Sequence, residues 1–482
     1  MPVINNQNIP SNDPLVADFA RLTVDNLNYE PNDEQWQLLA AFAHFIFYGM
    51  ENAVLLLNGY AGTGKTSMIG AMVKAMNQLG RKAVLLAPTG RAAKVFTEWS
   101  GHTAYTIHRR IYRQKGYLDA GFSVAENKHT DTIFIVDEAS MVANGGGENS
   151  IFGTGNLLDD LIHYVYNGQG CRLMLMGDVA QLPPVGQASS PAMNPKVLES
   201  YGLKPQLVQL TSIARQDSDS GILHNATLLR QNIHLTPLPA PKLQLQSFPD
   251  IEAVNGEFLL ETISDSYSRP GMAETAIITR SNKRATQFNM GIRNSILYRD
   301  DLLVSDEMLL VVKNNYYWTG ENKEIDFIAN GDMLRVSRVW GEVESRYGLR
   351  FANVTVTLPD HGNLELDTKI ILDCLASDTP GLSLEQTNRL YSEVMNELSG
   401  DKRARHRELK KNPYFNALQV KYAYAITCHK AQGGQWCNVF VDMGSIMPEA
   451  FTQIDFYRWL YTAITRASEH VYLINCPLSL AP

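Results

Sequence analysis

The sequence predicts an α/β protein, and three stretches carry the prediction. Residues 53–59, AVLLLNG, form an apolar β-type run that passes into the glycine-rich GYAGTGKTS at 59–67 and then into SMIGAMVKAMNQLG, which has helical spacing and a glycine stop at Gly80. TIFIV at 132–136 and RLMLMG at 172–177 are two further apolar runs, each ending at an acidic residue. Short continuous apolar runs alternating with helical patterns indicate strands of a parallel sheet covered on both faces. With 482 residues the chain is too long for one ordinary core, so several domains are expected.

In chain order, MPVINNQNIPSNDP at the start lacks the basic and apolar regions of a signal peptide. LLAAFAHFIFYGM at 38–50 is shorter than a membrane span and reads as a buried amphipathic helix starting near Asn32 and Asp33, with Glu34 and Gln35 in its first turn. The charge balance is −8, so no global positive field advertises a polyanionic partner. The five cysteines (Cys171, Cys374, Cys428, Cys437, Cys476) are scattered and never spaced C-x-x-C, which argues against a disulfide framework or zinc ribbon and for a reducing, cytoplasmic setting without membrane attachment.

The G-x-x-x-x-G-K-[ST] pattern is met by Gly59, Gly64, Lys65 and Thr66 in the strand–loop–helix context that it requires. Backbone N–H groups around Ala61, Gly62, Thr63 and Ser67 are then placed to cradle phosphates, with Lys65 on the β/γ oxygens and Thr66 as a Mg²⁺ ligand. Asp137 supplies the carboxylate for the metal, and Glu138 orients or deprotonates the attacking water. Read alone, that DE pair is equally a helix cap; beside a phosphate loop it points to ATP and Mg²⁺. Gln181, after the third strand, contacts a γ-phosphate without adding charge, although VAQLPPVG is also a proline-stiffened turn.

GYAGTGKTS, DEAS and GDVAQLPPVG in this order resemble the superfamily 1 DNA helicases, specifically the RecD/Dda branch of superfamily 1B. The family's other blocks follow in order: LLAPTGRAAK at 85–94, AYTIHRR at 104–110, LTSIARQ at 210–216, ITRSNKRATQFNMGIR at 278–293, KYAYAITCHKAQGGQW at 421–436 and YTAITRA at 461–467. The resemblance implies two RecA-like motor domains with ATP in the cleft between them. Gln35 takes the adenine-reading role, and Arg215 and Arg466 reach from the second domain toward the γ-phosphate; either arginine taken alone is a surface ion pair. Gly433 lets backbone approach the phosphates or is a plain turn residue.

A polyanion bound by an acidic chain needs a local groove. Between Arg81 and Lys115 there are eight Lys/Arg residues against one acid, Glu98, which fits such a groove or a solvated helix face. On the resemblance, Pro88, Thr89, His108 and Arg109 contact single-stranded DNA in the first motor domain, and Thr279, Asn282, Thr427, His429 and Lys430 do so in the second. His429 has a competing reading as a packed core histidine. The family places a small strand-separating hairpin at 109–131, for which Tyr117 and Phe122 are the candidates to stack on the opening base pair.

Short alternating strands from 301 onward suggest a small SH3-like barrel, followed by a polar helical stretch. The expected layout is an N-terminal extension at 1–30, a first motor domain 1A at 31–200 carrying the 1B hairpin at 109–131, a second motor domain 2A at 201–300 and 418–482, and the accessory 2B insertion at 301–417. KRARHRELKK within that insertion touches phosphates or is a solvated helix. NGGGENSIFGTGN at 144–156 reads as a flexible connector. The long N-terminal domain of a RecD subunit is not seen, so a stand-alone, monomeric motor is expected, acting on single-stranded DNA and on junctions with duplex. The branch implies 5′ to 3′ movement with duplex unwinding; a nucleic-acid-stimulated ATPase that remodels protein–DNA complexes or RNA is the alternative.

Overall fold

A computed structural model describes residues 13–114, 122–145, 152–213, 220–319, 325, 327–444 and 446–481. The chain divides into two compact units, Met1–Asp219 and Ser220–Pro482, each taken by itself below. Among the described residues no helix is long and apolar enough to cross a membrane.

The first unit is built on a parallel sheet of β1 (Ala53–Gly59), β2 (Lys82–Ala87), β3 (Ala104–Thr106), β6 (Thr132–Val136), β7 (Arg172–Gly177) and β8 (Lys204–Leu210), in the order β3-β2-β6-β7-β1-β8. Between β3 and β6 the chain makes a two-stranded antiparallel excursion, β4 (Tyr112–Gln114) and β5 (Phe122–Val124). The central strands read as unbroken apolar runs because both faces are covered. Leu55 and Leu57 face α1 (Pro14–Asp25), α2 (Asp33–Tyr48) and α3 (Lys65–Gln78), while the alternate Val54 and Leu56 are buried on the other side. Asp13 caps α1 ahead of Pro14, and Asn32 and Gln35 form a reciprocal capping box on α2. The remaining helices are α4 (Gly90–Ser100), α5 (Ile107–Ile111), α6 (Leu157–Tyr166) and α7 (Pro195–Ser200).

Two expected boundaries move. Residues 204–210, expected in the second motor domain, form β8, which pairs with β1 along its length, from Ala53 opposite Lys204 to Gly59 opposite Leu210, and so completes the first sheet. The LTSIARQ block therefore starts on the first sheet; Arg215 itself lies outside the described residues.

The second unit holds a parallel sheet in the order β16-β10-β17-β18-β9, from β9 (Ile251–Val254), β10 (Thr275–Thr279), β16 (Ala425–Thr427), β17 (Trp436–Asp442) and β18 (Ala467–Ile474). Its helices are α8 (Gly221–Asn232), α9 (Leu259–Ser266), α10 (Asn282–Ser295), the single turn α13 (Cys428–Ala431) and α14 (Ile454–Ile464). The expected barrel is present and closed: β11 (Met308–Val311), β12 (Met333–Arg346), β13 (Leu349–Leu358), β14 (Leu364–Ile371) and β15 (Leu418–Tyr422). Tyr347 and Gly348, both at positive φ, turn β12 into β13 as the right-handed twist of a hairpin requires. The helices α11 (Leu384–Glu397) and α12 (Lys402–Leu409) pack on this barrel through Leu390, Val394 and Leu409. The second boundary moves here: β15, expected in the motor sheet, closes the barrel by pairing with β11 and β14, and the chain enters the motor sheet only at β16. In LQVKYAYAIT the alternating LQVKY gives way to the apolar YAYAI, but no turn residue marks the change of sheet at 423–424.

Candidate nucleotide and nucleic-acid sites

In a parallel sheet the carboxyl ends of the strands gather ligands along one edge. Here β1 ends at Gly59 and the chain passes through Gly62 and Gly64, both at positive φ, into α3, whose N-terminus has no side-chain cap. A helix start with its N–H groups uncapped by side chains, reached through left-handed glycines, is a cradle for an anion. A Cβ on Gly59 would stand 2.5 Å from the Lys65 side chain, so that position too must be glycine. The Lys65 Nζ donates to the carbonyl oxygens of Gly59 and Tyr60, which holds the ammonium over the loop. Thr63 is buried and its hydroxyl bonds the Tyr60 carbonyl at 2.8 Å, bracing the turn.

The α2 N-terminus grips this edge. Gln35 is 1% exposed; its Nε2 donates to the Thr63 carbonyl at 3.1 Å and its Oε1 accepts from the Asn32 amide. The residue expected to read adenine is thus a strut between α2 and the phosphate loop. Sequence reasoning treated its neighbour Glu34 only as a first-turn acid, yet the Glu34 carboxylate accepts from the Thr211 and Ser212 amides just beyond β8. Although burial opposes it, these bonds hold the carboxyl below its ordinary range.

Asp137 follows β6 directly and its Oδ1 accepts the Glu138 amide at 2.7 Å. Glu138 sits at φ 50°, ψ 36°, a left-handed conformation that costs a non-glycine residue energy and concentrates at functional sites. After β7, Asp178 is buried and accepts from the Ala180 amide, while Asn58 on β1 accepts from Val179 and fixes the loop. Gln181 is 6% exposed, and its Oε1 has no hydrogen-bond partner among the described residues. An orphaned buried amide oxygen calls for an external donor. Lys65, Thr66, Asp137, Glu138 and Gln181 therefore follow the ends of β1, β6 and β7, which neighbour one another through β7.

The predicted nucleic-acid residues of this unit follow β2 and β3 on the same edge. Pro88 and Thr89 succeed β2, with the Thr89 hydroxyl capping α4 through the Ala92 amide at 3.2 Å. Arg109 and Arg110 on α5 both lie over the Tyr105 ring, 5.5 Å from its centroid. His108 is packed: its ring meets Phe152 edge-on at 4.9 Å, and burial drives its pKa to about 4, with Asp160 opposing. The expectation of one continuous basic groove fails. Arg81 and Lys82 lie at the opposite, amino end of β2, where Arg81 covers Phe47 and Lys82 reaches Thr130; a charge count along the sequence ignores strand direction. Phe122 is not a free tip: it pairs with Gln114 and its ring lies 4.9 Å from Phe152. Tyr117 lies outside the described residues.

The connector at 144–156 is anchored at the residues the structure describes. The Asn144 carbonyl accepts from Gln187 Nε2 at 2.7 Å, Phe152 is buried, and Asn156 caps α6. A glycine-rich composition hid these anchor points.

In the second unit the predicted residues fall into two groups. Thr279 and Thr427 end the neighbouring strands β10 and β16 in direct register, followed by Asn282 at the start of α10 and by His429 and Lys430 on α13. Thr279 is buried and its hydroxyl bonds the Ser281 carbonyl at 3.0 Å, so it shapes the strand end. His429 is exposed, against the packed-core reading. Lys430 donates to Asn330 Oδ1 in the β11–β12 connection, and burial lowers its pKa to about 8. The second group, Gly433 at φ 73° and Arg466, lies where β17 and β18 begin. Arg466 is 5% exposed, its guanidinium held by the Thr462 carbonyl at 3.2 Å and the Gly434 carbonyl at 3.4 Å, which ties the YTAITRA block to AQGG.

Residues 30–236 match the family described as AAA domain, and residues 422–474 match the UvrD-like helicase C-terminal domain. Both matches are consistent with the superfamily 1B helicases that the motifs resemble. Among relatives, it is 31% identical to the ATP-dependent RecD2 DNA helicase of Deinococcus radiodurans over 177 residues, 36% of this chain and 21% of that protein. It is 23% identical to the ATP-dependent DNA helicase dda of Enterobacteria phage T4 over 290 residues, 58% of this chain and 62% of that protein. An uncharacterised protein of Methanocaldococcus jannaschii is 24% identical across 94% of this chain, which spans 40% of that relative's length. A Bacteroides Pif1 helicase in complex with ADP-AlF3 and single-stranded DNA aligns with a TM-score of 0.47 at 14% identity, covering 94% of this chain and 95% of that one.

Proposed function

We propose that the chain is an ATP- and Mg²⁺-dependent DNA helicase that moves 5′ to 3′ along single-stranded DNA and opens duplex ahead of it. The observation that carries the reading is the carboxyl edge of the first sheet. There the uncapped α3 start, the strained Glu138 and the orphaned Gln181 oxygen share one edge with Pro88, Thr89 and Arg109.

The residues fit a triphosphate and a hard cation. Lys65 and the α3 amides supply donors for phosphate oxygens, and the Thr66 hydroxyl and Asp137 carboxylate are the oxygen ligands that Mg²⁺ takes. When bound, the cation neutralises charge on the β and γ oxygens. Glu138 orients the attacking water and accepts its proton; Gln181 contacts the γ-phosphate through its amide Nε2 while its buried Oε1 accepts from the attacking water, and Arg215 and Arg466 are the guanidiniums assigned to the developing charge. Gln35 steadies the loop from α2. Arg109, Asn282, Thr427, His429 and Lys430 supply the cations, hydroxyl and amide that grip sugar and phosphate without reading sequence. The hairpin that contains β4 and β5 separates the strands, with Tyr117 the candidate to stack on the opening base pair and Phe122 paired with Gln114 on β4.

The test is unwinding of 5′-tailed, 3′-tailed and blunt duplexes with and without ATP. Opening of the 5′-tailed duplex alone, dependent on ATP, is expected. Preference for the 3′ tail overturns the polarity, and DNA-stimulated ATP turnover without opening any duplex favours a remodelling ATPase.

A further inference from the structure

The antiparallel pair β4–β5 is too small to hold its own direction in water, since an isolated two-stranded hairpin is marginal. Its orientation must come from what it rests on. Phe152, returning from the glycine-rich segment, pairs with Phe122 in a parallel bridge, and the Gly153 amide donates to the Phe122 carbonyl at 2.8 Å. The Phe152 ring lies 4.9 Å from the rings of His108 on α5, Tyr112 on β4 and Phe122 on β5. Beneath them Asp160, buried on α6, accepts from the Tyr112 hydroxyl at 2.7 Å and from the Thr154 amide at 3.1 Å. Gly153 sits at φ 44°, and a Cβ there would stand 2.1 Å from the Asp160 carboxylate, so the approach is as close as backbone allows. Asn127 closes the far side, donating to the Tyr164 and Val165 carbonyls of α6 at 3.0 and 3.2 Å.

We propose that Phe152 and Asp160 are positioning residues for strand separation: together they form a rigid seat that fixes the direction in which the β4–β5 hairpin projects. The inference rests on the reading of that hairpin as the separating element. Neither residue belongs to the phosphate loop or to the DEAS block, so ATP turnover does not need the seat. Opening a base pair pushes back on the hairpin, and a hairpin free to swing yields instead of unstacking the pair.

The experiment compares single-stranded-DNA-stimulated ATP turnover, displacement of a protein block from single-stranded DNA, and unwinding of a 5′-tailed duplex. The variants are Phe152→Ala, Phe152→Leu, Asp160→Ala and Asp160→Asn, alongside one in which residues 116–120 are replaced by two glycines. Phe152→Ala and Asp160→Ala are expected to keep turnover and block displacement within about twofold while losing about tenfold or more in base pairs opened per ATP. Asp160→Asn, which still accepts from Tyr112, should restore most of the yield, and Phe152→Leu part of it. If the shortened hairpin abolishes unwinding but the Phe152 and Asp160 variants unwind normally, the seat is refuted and the hairpin reading stands. If the shortened hairpin unwinds normally, the hairpin reading fails and the seat with it. Parallel loss of turnover and unwinding in a variant that melts like the parent also refutes it, and should the alanine variants misfold, Phe152→Leu and Asp160→Asn decide by the same ratio.

Discussion

Glu307 is the residue on which the second unit's stability should depend most sharply. It is 0% exposed, precedes β11, and accepts from Arg293 Nε at 3.0 Å, from Arg299 at 3.1 Å and from the Tyr424 hydroxyl at 2.6 Å. Arg293 comes from α10 and Tyr424 from the link between β15 and β16, so this one carboxylate ties together both places where the chain crosses between motor sheet and barrel. Burial works against the Arg293 charge, but the Glu307 bonds outweigh it and hold the guanidinium pKa above its usual value. Glu307→Ala leaves two guanidiniums and a phenol facing a void, and removing one partner of a buried pair costs about 3–5 kcal/mol. For a unit of this size that corresponds to a melting shift of about 6–20 °C. Differential scanning calorimetry should resolve it as an early transition of the second unit, with Glu307→Gln, which keeps an acceptor oxygen, shifted less. A Glu307→Ala protein melting within about 2 °C of the parent would mean that solvent or rearrangement replaces the carboxylate, and the network would lose its assigned role.

Two further outcomes bear on the sites. Glu138→Gln should lower DNA-stimulated ATP turnover by about 100-fold or more, the scale of a lost general base, while a fluorescent nucleotide still binds; a loss of only a few-fold would remove Glu138 from the chemistry. Lys430, with its pKa lowered to about 8, is charged at pH 7 and loses that charge as pH rises through 8. Single-stranded DNA affinity at fixed salt, read by anisotropy, should therefore fall between pH 7 and 9, and Lys430→Arg should flatten the fall because a guanidinium stays protonated there. Parallel profiles for the two proteins would place Lys430 off the DNA path.

The sequence made legible what short segments decide by themselves. The phosphate loop needs only a strand, a glycine turn and a helix start, all local, and its residues lie where the pattern put them. DEAS and GDVAQ were readable because an apolar run ending in an acid marks a strand's carboxyl end, which is where a parallel sheet collects its ligands. What remained hidden depends on partners distant in the chain. Residues 204–210 carry a strand pattern, but only pairing with Ala53–Gly59 assigns them to the first sheet. The stretch at 418–427 holds no turn residue, yet its first half closes a barrel and its second half joins a parallel sheet. Arg81 and Arg109 carry the same charge on opposite edges because one precedes a strand and the other follows one.

The same logic explains why polar residues expected at ligands also brace the scaffold. Gln35 bonds the phosphate loop, Thr279 bonds its own strand end, and Arg466 bonds the AQGG carbonyl. Each sits at an element's terminus, where backbone groups lack ladder or helix partners and a nearby side chain meets that need first. A ligand arriving at such a residue must replace a bond the protein already makes, so its gain is the difference between two hydrogen bonds. Gln181 is the contrast: among the described residues its buried oxygen has no partner, so a donor such as the attacking water forfeits nothing in exchange. On that ground Gln181 is the nucleotide-edge residue whose loss should be felt in ligand recognition before it is felt in folding, and Gln35 the reverse.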